Sequence, residues 1–150
     1  MEKRPLGKNL GAETLQNDLC IQFYDQSRAI AGDRFFVELL IRIPIPLGEA
    51  YFRDLSDPIA QVNRFLSQMG EGFAFEQTKS RNFVSKQDVP DLLNSMKEEF
   101  LDANRAYLGH PSFAKRFVLK QYEAWKKSTS WQRAHRKVVE EVEQKERESK

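Results

Sequence analysis

The chain has 150 residues, 40% of them apolar and 31% charged, which fits one globular domain with a well-solvated surface. Eleven Phe, four Tyr and two Trp supply too much buriable surface for disorder along the whole length, and the weighting towards Phe favours core packing over a stacking surface. A net charge of +2 hides an asymmetry, since residues 111–150 carry +5 and residues 1–110 carry −3.

The single cysteine, Cys20, excludes an internal disulfide and reads as a small buried hydrophobe in a chain of a reducing compartment. The N-terminus lacks an apolar run after its charges, so no secretory signal is read there. The most apolar stretch, 35–47, is broken by Glu38, Arg42 and two prolines, and is too short and too charged to span a bilayer. The expectation is a cytoplasmic protein without a membrane partner.

Residues 1–14 are polar and aperiodic and read as a flexible tail. From Leu15 the pattern changes: Leu19, Ile21 and Phe23 alternate with Cys20, Gln22 and Tyr24, the period of a strand with one buried face. Residues 25–33 form a polar connection, long enough to hold a short ordered excursion. Phe35, Val37, Leu39, Ile41, Ile43 and Ile45 then fall on one face of a second strand, completing a β-hairpin. Pro44 and Pro46 limit pairing at its end.

Asp57-Pro58 predicts a helix start, with Asp57 as N-cap, and Ile59, Val62, Phe65, Leu66 and Met69 recur at helical spacing up to Gly70. Residues 72–84 read as a third strand, broken near 79–82. Asp88 to Asp91 opens a helix whose stripe runs from Val89 through Leu93, Met96 and Phe100 to Leu108, with Gly109 as its stop. Pro111 opens another, carrying Phe113, Phe117, Val118, Tyr122 and Trp125. That stripe fails at Ser128-Thr129-Ser130, where Thr129 and Gln132 have capping-box spacing.

The prediction is therefore an α+β fold: a small antiparallel sheet of about three strands covered by helices, in the order β-β-α-β-α-α. A single domain is placed at 15–127 and a C-terminal helical extension, fraying at its end, at 128–150. The expected core is Ile21, Phe23, Val37, Leu39, Ile41, Phe65, Leu93, Phe100, Phe117 and Trp125.

Three groups of residues invite a function. Asp25, Ser27, Arg28, Asp33 and Arg34 combine two guanidinium forks with a hydroxyl and glycine-permitted backbone, the ingredients of an anion-binding loop; the same residue types also serve plain turns. Between 115 and 137 there are eight basic residues against Glu123 alone, and Arg116, Lys120, Lys127, Arg133 and Lys137 make a candidate basic face. Trp131, with Val138 and Val142, offers a thin apolar seam that is a weak helix by itself and wants something to lie against.

No phosphate loop, dinucleotide fingerprint, nucleophile elbow or chelating His/Cys spacing occurs. No cofactor or metal is predicted. The reading is a non-catalytic interaction or regulatory module working through its C-terminal helices on a protein partner or a second copy. Nucleic acid on the basic segment is the alternative, and a small enzyme with a dispersed, motif-free site is the second.

Overall fold

The alternation that begins at Phe35 builds the strand around which the sheet is organised. A computed structural model describes residues 6–129, which form an α+β fold with an antiparallel sheet of five strands and three α-helices. The strands are β1 (Lys8–Thr14), β2 (Cys20–Asp25), β3 (Arg28–Ala31), β4 (Arg34–Pro44) and β5 (Ala74–Ser85). The helices are α1 (Ile59–Met69), α2 (Val89–Leu108) and α3, helical over residues 113–129. Short 3₁₀ turns occupy Glu49–Phe52 and Lys86–Asp88. No described helix is long and apolar enough to cross a membrane.

The described residues fall into two units. One holds those up to Pro46 and from Gly70 to Ala114; the other holds Leu47–Met69 and those from Lys115 onward.

In the first unit β4 pairs with three strands. It meets β2 over Leu39–Arg42, β3 over Arg34–Phe36, and β5 along its full length. Its odd-numbered residues Val37, Leu39, Ile41 and Ile43 are wholly buried, as are Ile21 and Phe23 beside them. Helix α2 covers this face with Leu93, Met96, Phe100 and Leu101, all buried, and the Phe100 ring stands edge-on to Phe23 at 6.5 Å. Arg105 of α2 grips Glu13 of β1 with both ends of its fork, at 2.8 and 3.2 Å.

The sheet has five strands instead of about three, and the order differs accordingly. Lys8–Thr14, expected in a loose tail, is β1: an edge strand of mostly exposed and half-buried residues, ordered by its partner β2 and not by a pattern of its own. The ordered excursion in the connection is β3, whose four residues are all exposed and so show no period. Cys20 is half-buried, not buried, because it shares the outer face with Gln22 and Tyr24.

The break expected in the third strand is a bulge inside a continuous β5. Asn82 and Phe83 together oppose Phe36, between the pairs Val37–Arg81 and Phe35–Val84. Helices α1 and α2 match their predicted spans. Asp88 stands at the α2 N-cap position without a side-chain capping bond.

The second unit packs Phe52, Val62, Phe65, Val118 and Tyr122, all buried. Phe117 and Trp125, expected in the core, are half-buried. Pro111 lies in the turn that precedes α3, not at its first position.

Gly7 fixes the entry into β1. Its φ is +93°, and a Cβ there would fall on the carbonyl oxygen of Asp25. Gly7→Ala is therefore expected to destabilise the protein by about 2 kcal/mol through strain and clash together. A denaturant titration would show a lower midpoint, with amide exchange accelerated first in β1.

Candidate functional site

The five residues of the proposed anion-binding loop fall in two places, the step between β2 and β3 and the turn between β3 and β4. Asp25 Oδ1 accepts the Ser27 N–H at 2.9 Å, and Ser27 Oγ accepts the Glu38 N–H at 3.1 Å. The Gln26 N–H donates to the Glu38 carbonyl at 2.9 Å. These bonds suture the step between β2 and β3 to β4, so the Asp25 and Ser27 groups do turn-and-sheet work. The Arg28 guanidinium lies over the Phe36 ring at 4.6 Å. Asp33 and Arg34 sit at the β3–β4 turn, 4.0 Å apart in an exposed pair. Gly32 takes the first central position of that turn with φ +56°, the requirement of a type II′ hairpin.

The basic face of α3 rests on a different foundation. Its inner side enters an aromatic cluster: Tyr122 lies 5.1 Å from Phe52 and 5.2 Å from Phe65, and Trp125 lies 5.6 Å from Phe65. Polar bonds lock the same side. Tyr122 Oη donates to Asp57 Oδ2 at 2.7 Å, Lys126 Nζ reaches the same oxygen at 2.9 Å, and Trp125 Nε1 donates to Gln68 at 2.6 Å. Lys115 pairs with Asp54 at 2.7 Å.

Asp57, read from the sequence as the cap of α1, receives at its Oδ2 two donors from α3, placed 65 and 69 residues away in the chain. Hydrogen bonds from Lys126 and then Tyr122 hold its carboxyl below the usual range. Burial, then the bond to Asp57, pushes the Tyr122 hydroxyl up to about 12.

Arg116, Lys120 and Lys127 all fall on the exposed side of α3, at offsets of four and seven residues that bring them onto one stripe. Arg133 and Lys137, with the seam Trp131, Val138 and Val142, lie outside the described residues.

Each unit also holds a cleft. The first, about 260 Å³, lies between β1 and α2 and presents Lys8, Asp25, Asn94 and Lys97 over Leu10 and Leu93. Lys97 is engaged there, donating to the Leu10 carbonyl at 3.2 Å with its charge 5.3 Å from the Phe23 ring. The second, about 340 Å³, lies between α1 and α3 beside Arg64, Trp125 and Lys126. Both stand near the lower limit for small-molecule sites. Among the described residues no group of three or more His, Cys, Asp and Glu gathers as a metal site would require.

Sequence reasoning missed the exposed apolar residues at the far end of the sheet, Ile30 and Phe83. Both sit on bulges, which are register events between strands and leave no mark within one strand. No family model, curated protein or solved structure matches the chain.

The Tyr122–Asp57 bond has a definite pH signature. The folded tyrosine value is raised above the ordinary 10, so its contribution is complete below pH 10 and is lost as pH rises towards about 12. Tyr122→Phe is expected to lower stability at neutral pH by about 1 kcal/mol, a melting-temperature loss of roughly 3 °C. Thermal melts across the alkaline range should show the wild-type advantage shrinking to nothing.

Proposed function

We propose that this chain is a non-catalytic interaction module whose working surface is the outer side of α3 and the chain that follows it. The observation that carries this reading is the asymmetry of α3. Its inner side is held by four aromatic rings and by bonds to Asp57 and Gln68, while Arg116, Lys120 and Lys127 stand exposed on the other side.

A helix clamped in this way presents its charges at small entropic cost, because its backbone and inner side chains are ordered before any partner arrives. A partner of opposite charge is favoured, since complementary charge speeds encounter and fixes register. Trp131, Val138 and Val142, read from the sequence as an apolar seam, would add the desolvated anchor that a purely ionic surface lacks.

The test is affinity purification of the tagged chain from its own host, with and without nuclease treatment. The comparison is with Arg116→Glu/Lys120→Glu/Lys127→Glu and with Trp131→Ala/Val138→Asp. A stoichiometric protein that survives nuclease and is lost from both variants is the expected result. Recovery of nucleic acid, with every co-purifying protein lost on nuclease treatment, would transfer the surface to the alternative ligand. A partner retained by both variants would end the proposal. Lys120→Glu/Lys127→Glu should change the melting temperature little, because both side chains are exposed.

A further inference from the structure

At the far end of β4, both neighbouring strands bulge and turn apolar side chains outward. On β3, Ile30 is the extra residue between the pairs Ala29–Phe35 and Ala31–Arg34, and it is 47% exposed. On β5, the bulge opposite Phe36 leaves Phe83 70% exposed. Phe83 also holds φ +55°, a left-handed backbone that bulky L residues rarely adopt. A glycine or asparagine would take that conformation with less strain, so an exposed aromatic kept there is the outlier to explain.

The surroundings are basic. Residues 28–39 and the stretch 79–88 that pairs with them contain Arg28, Arg34, Lys79, Arg81 and Lys86 against Asp33, Glu38 and Asp88, a local net of +2. Arg28, which opposes Phe36, and Arg34 share the outer face of adjacent strands β3 and β4, whereas Arg81 opposes Val37 on the other face and donates to the Ser80 carbonyl. The Arg28 guanidinium already lies 4.6 Å over the centre of the Phe36 ring.

Two kinds of partner suit apolar tips ringed by cations. A lipid surface would take Ile30 and Phe83 into its hydrocarbon, but the turn between β3 and β4 carries Asp33, whose side chain is 72% exposed, and a carboxylate is costly at that depth. Single-stranded nucleic acid leaves that carboxylate in water, where its repulsion of phosphate is screened. Every base has a face that stacks on an exposed ring, and arginine forks match phosphate oxygens.

We propose that this end of the sheet binds single-stranded nucleic acid, with Phe83 stacking on a base and Arg28 and Arg34 contacting the phosphates. These residues belong to the first unit and Arg116, Lys120 and Lys127 to the second, so either reading stands or falls without the other.

The experiment uses the full chain and a short fluorescein-labelled oligothymidine, read by anisotropy at low and at raised salt. Wild type is expected to bind with an affinity that falls steeply as salt rises. Phe83→Gly should weaken binding about tenfold or more, with an unchanged or raised melting temperature, because glycine relieves the strained backbone. Phe83→Trp should retain binding. The proposal is overturned by salt-insensitive or undetectable binding, or by a Phe83→Gly variant that binds like wild type. It is equally overturned if binding is lost only on reversing Lys120 and Lys127, or if phosphatidylserine vesicles are bound in place of the oligonucleotide.

Discussion

The sheet depends on one strand. Of its four strand pairings, three are made by β4, and its period of two decides which side of the whole sheet is dry. Val37, Leu39, Ile41 and Ile43 make the buried face, and each cross-strand neighbour inherits a face from them: Phe23 lies opposite Ile41 and Phe75 opposite Ile43. A slip of one residue would send Glu38 and Arg42 into that core, so the register is strongly enforced. The register in turn places the two bulges. They occur near Phe36, at the end where β4 no longer has Ile21 and Phe23 beside it.

The second unit answers a different constraint. An isolated α3 would be marginal in water, because most helical stability in proteins comes from packing. Its stripe of Val118, Tyr122 and Trp125 closes on Phe52 and Phe65, and each polar atom that enters with the aromatics finds a partner. Tyr122 brings a hydroxyl and Trp125 an indole N–H; Asp57 and Gln68 receive them. This explains why Trp125 is half-buried and not in the core: its polar edge is tied to a side chain at the rim.

What could be read from the sequence followed from whether a residue's environment repeats along the chain. Strand β4 and helices α1 and α2 alternate between core and solvent at a fixed period, so their spans were legible. Strands β1 and β3 lack a buried face, and only pairing orders them, so nothing local announced them. Asp25 and Ser27 were recognisable as chemically able, but their bonds to the Ser27 and Glu38 backbone are turn and sheet bonds. Asp57 had the local signature of a helix cap, and its use by α3 depends on a contact that no local spacing encodes. The Phe-rich composition pointed to core packing, which holds for Phe23, Phe52, Phe65 and Phe100. Phe83 departs from it.

That departure can be weighed against the ordinary reason for a bulge. Long edge strands are a template for unwanted pairing, and a bulge with cations beside it blunts them. Arg81 and Lys86 on and beside β5 fit that role, and so does the broken register at Asn82 and Phe83. Edge protection, however, asks nothing of the side chain at the strained position except that it not promote association. Glycine or asparagine would satisfy it at a lower backbone cost, and lysine would add charge. A phenylalanine there raises the strain, exposes apolar surface and adds no charge. Protection accounts for the bulge and the charges, but an exposed ring held on a left-handed backbone calls for a ligand that uses the ring.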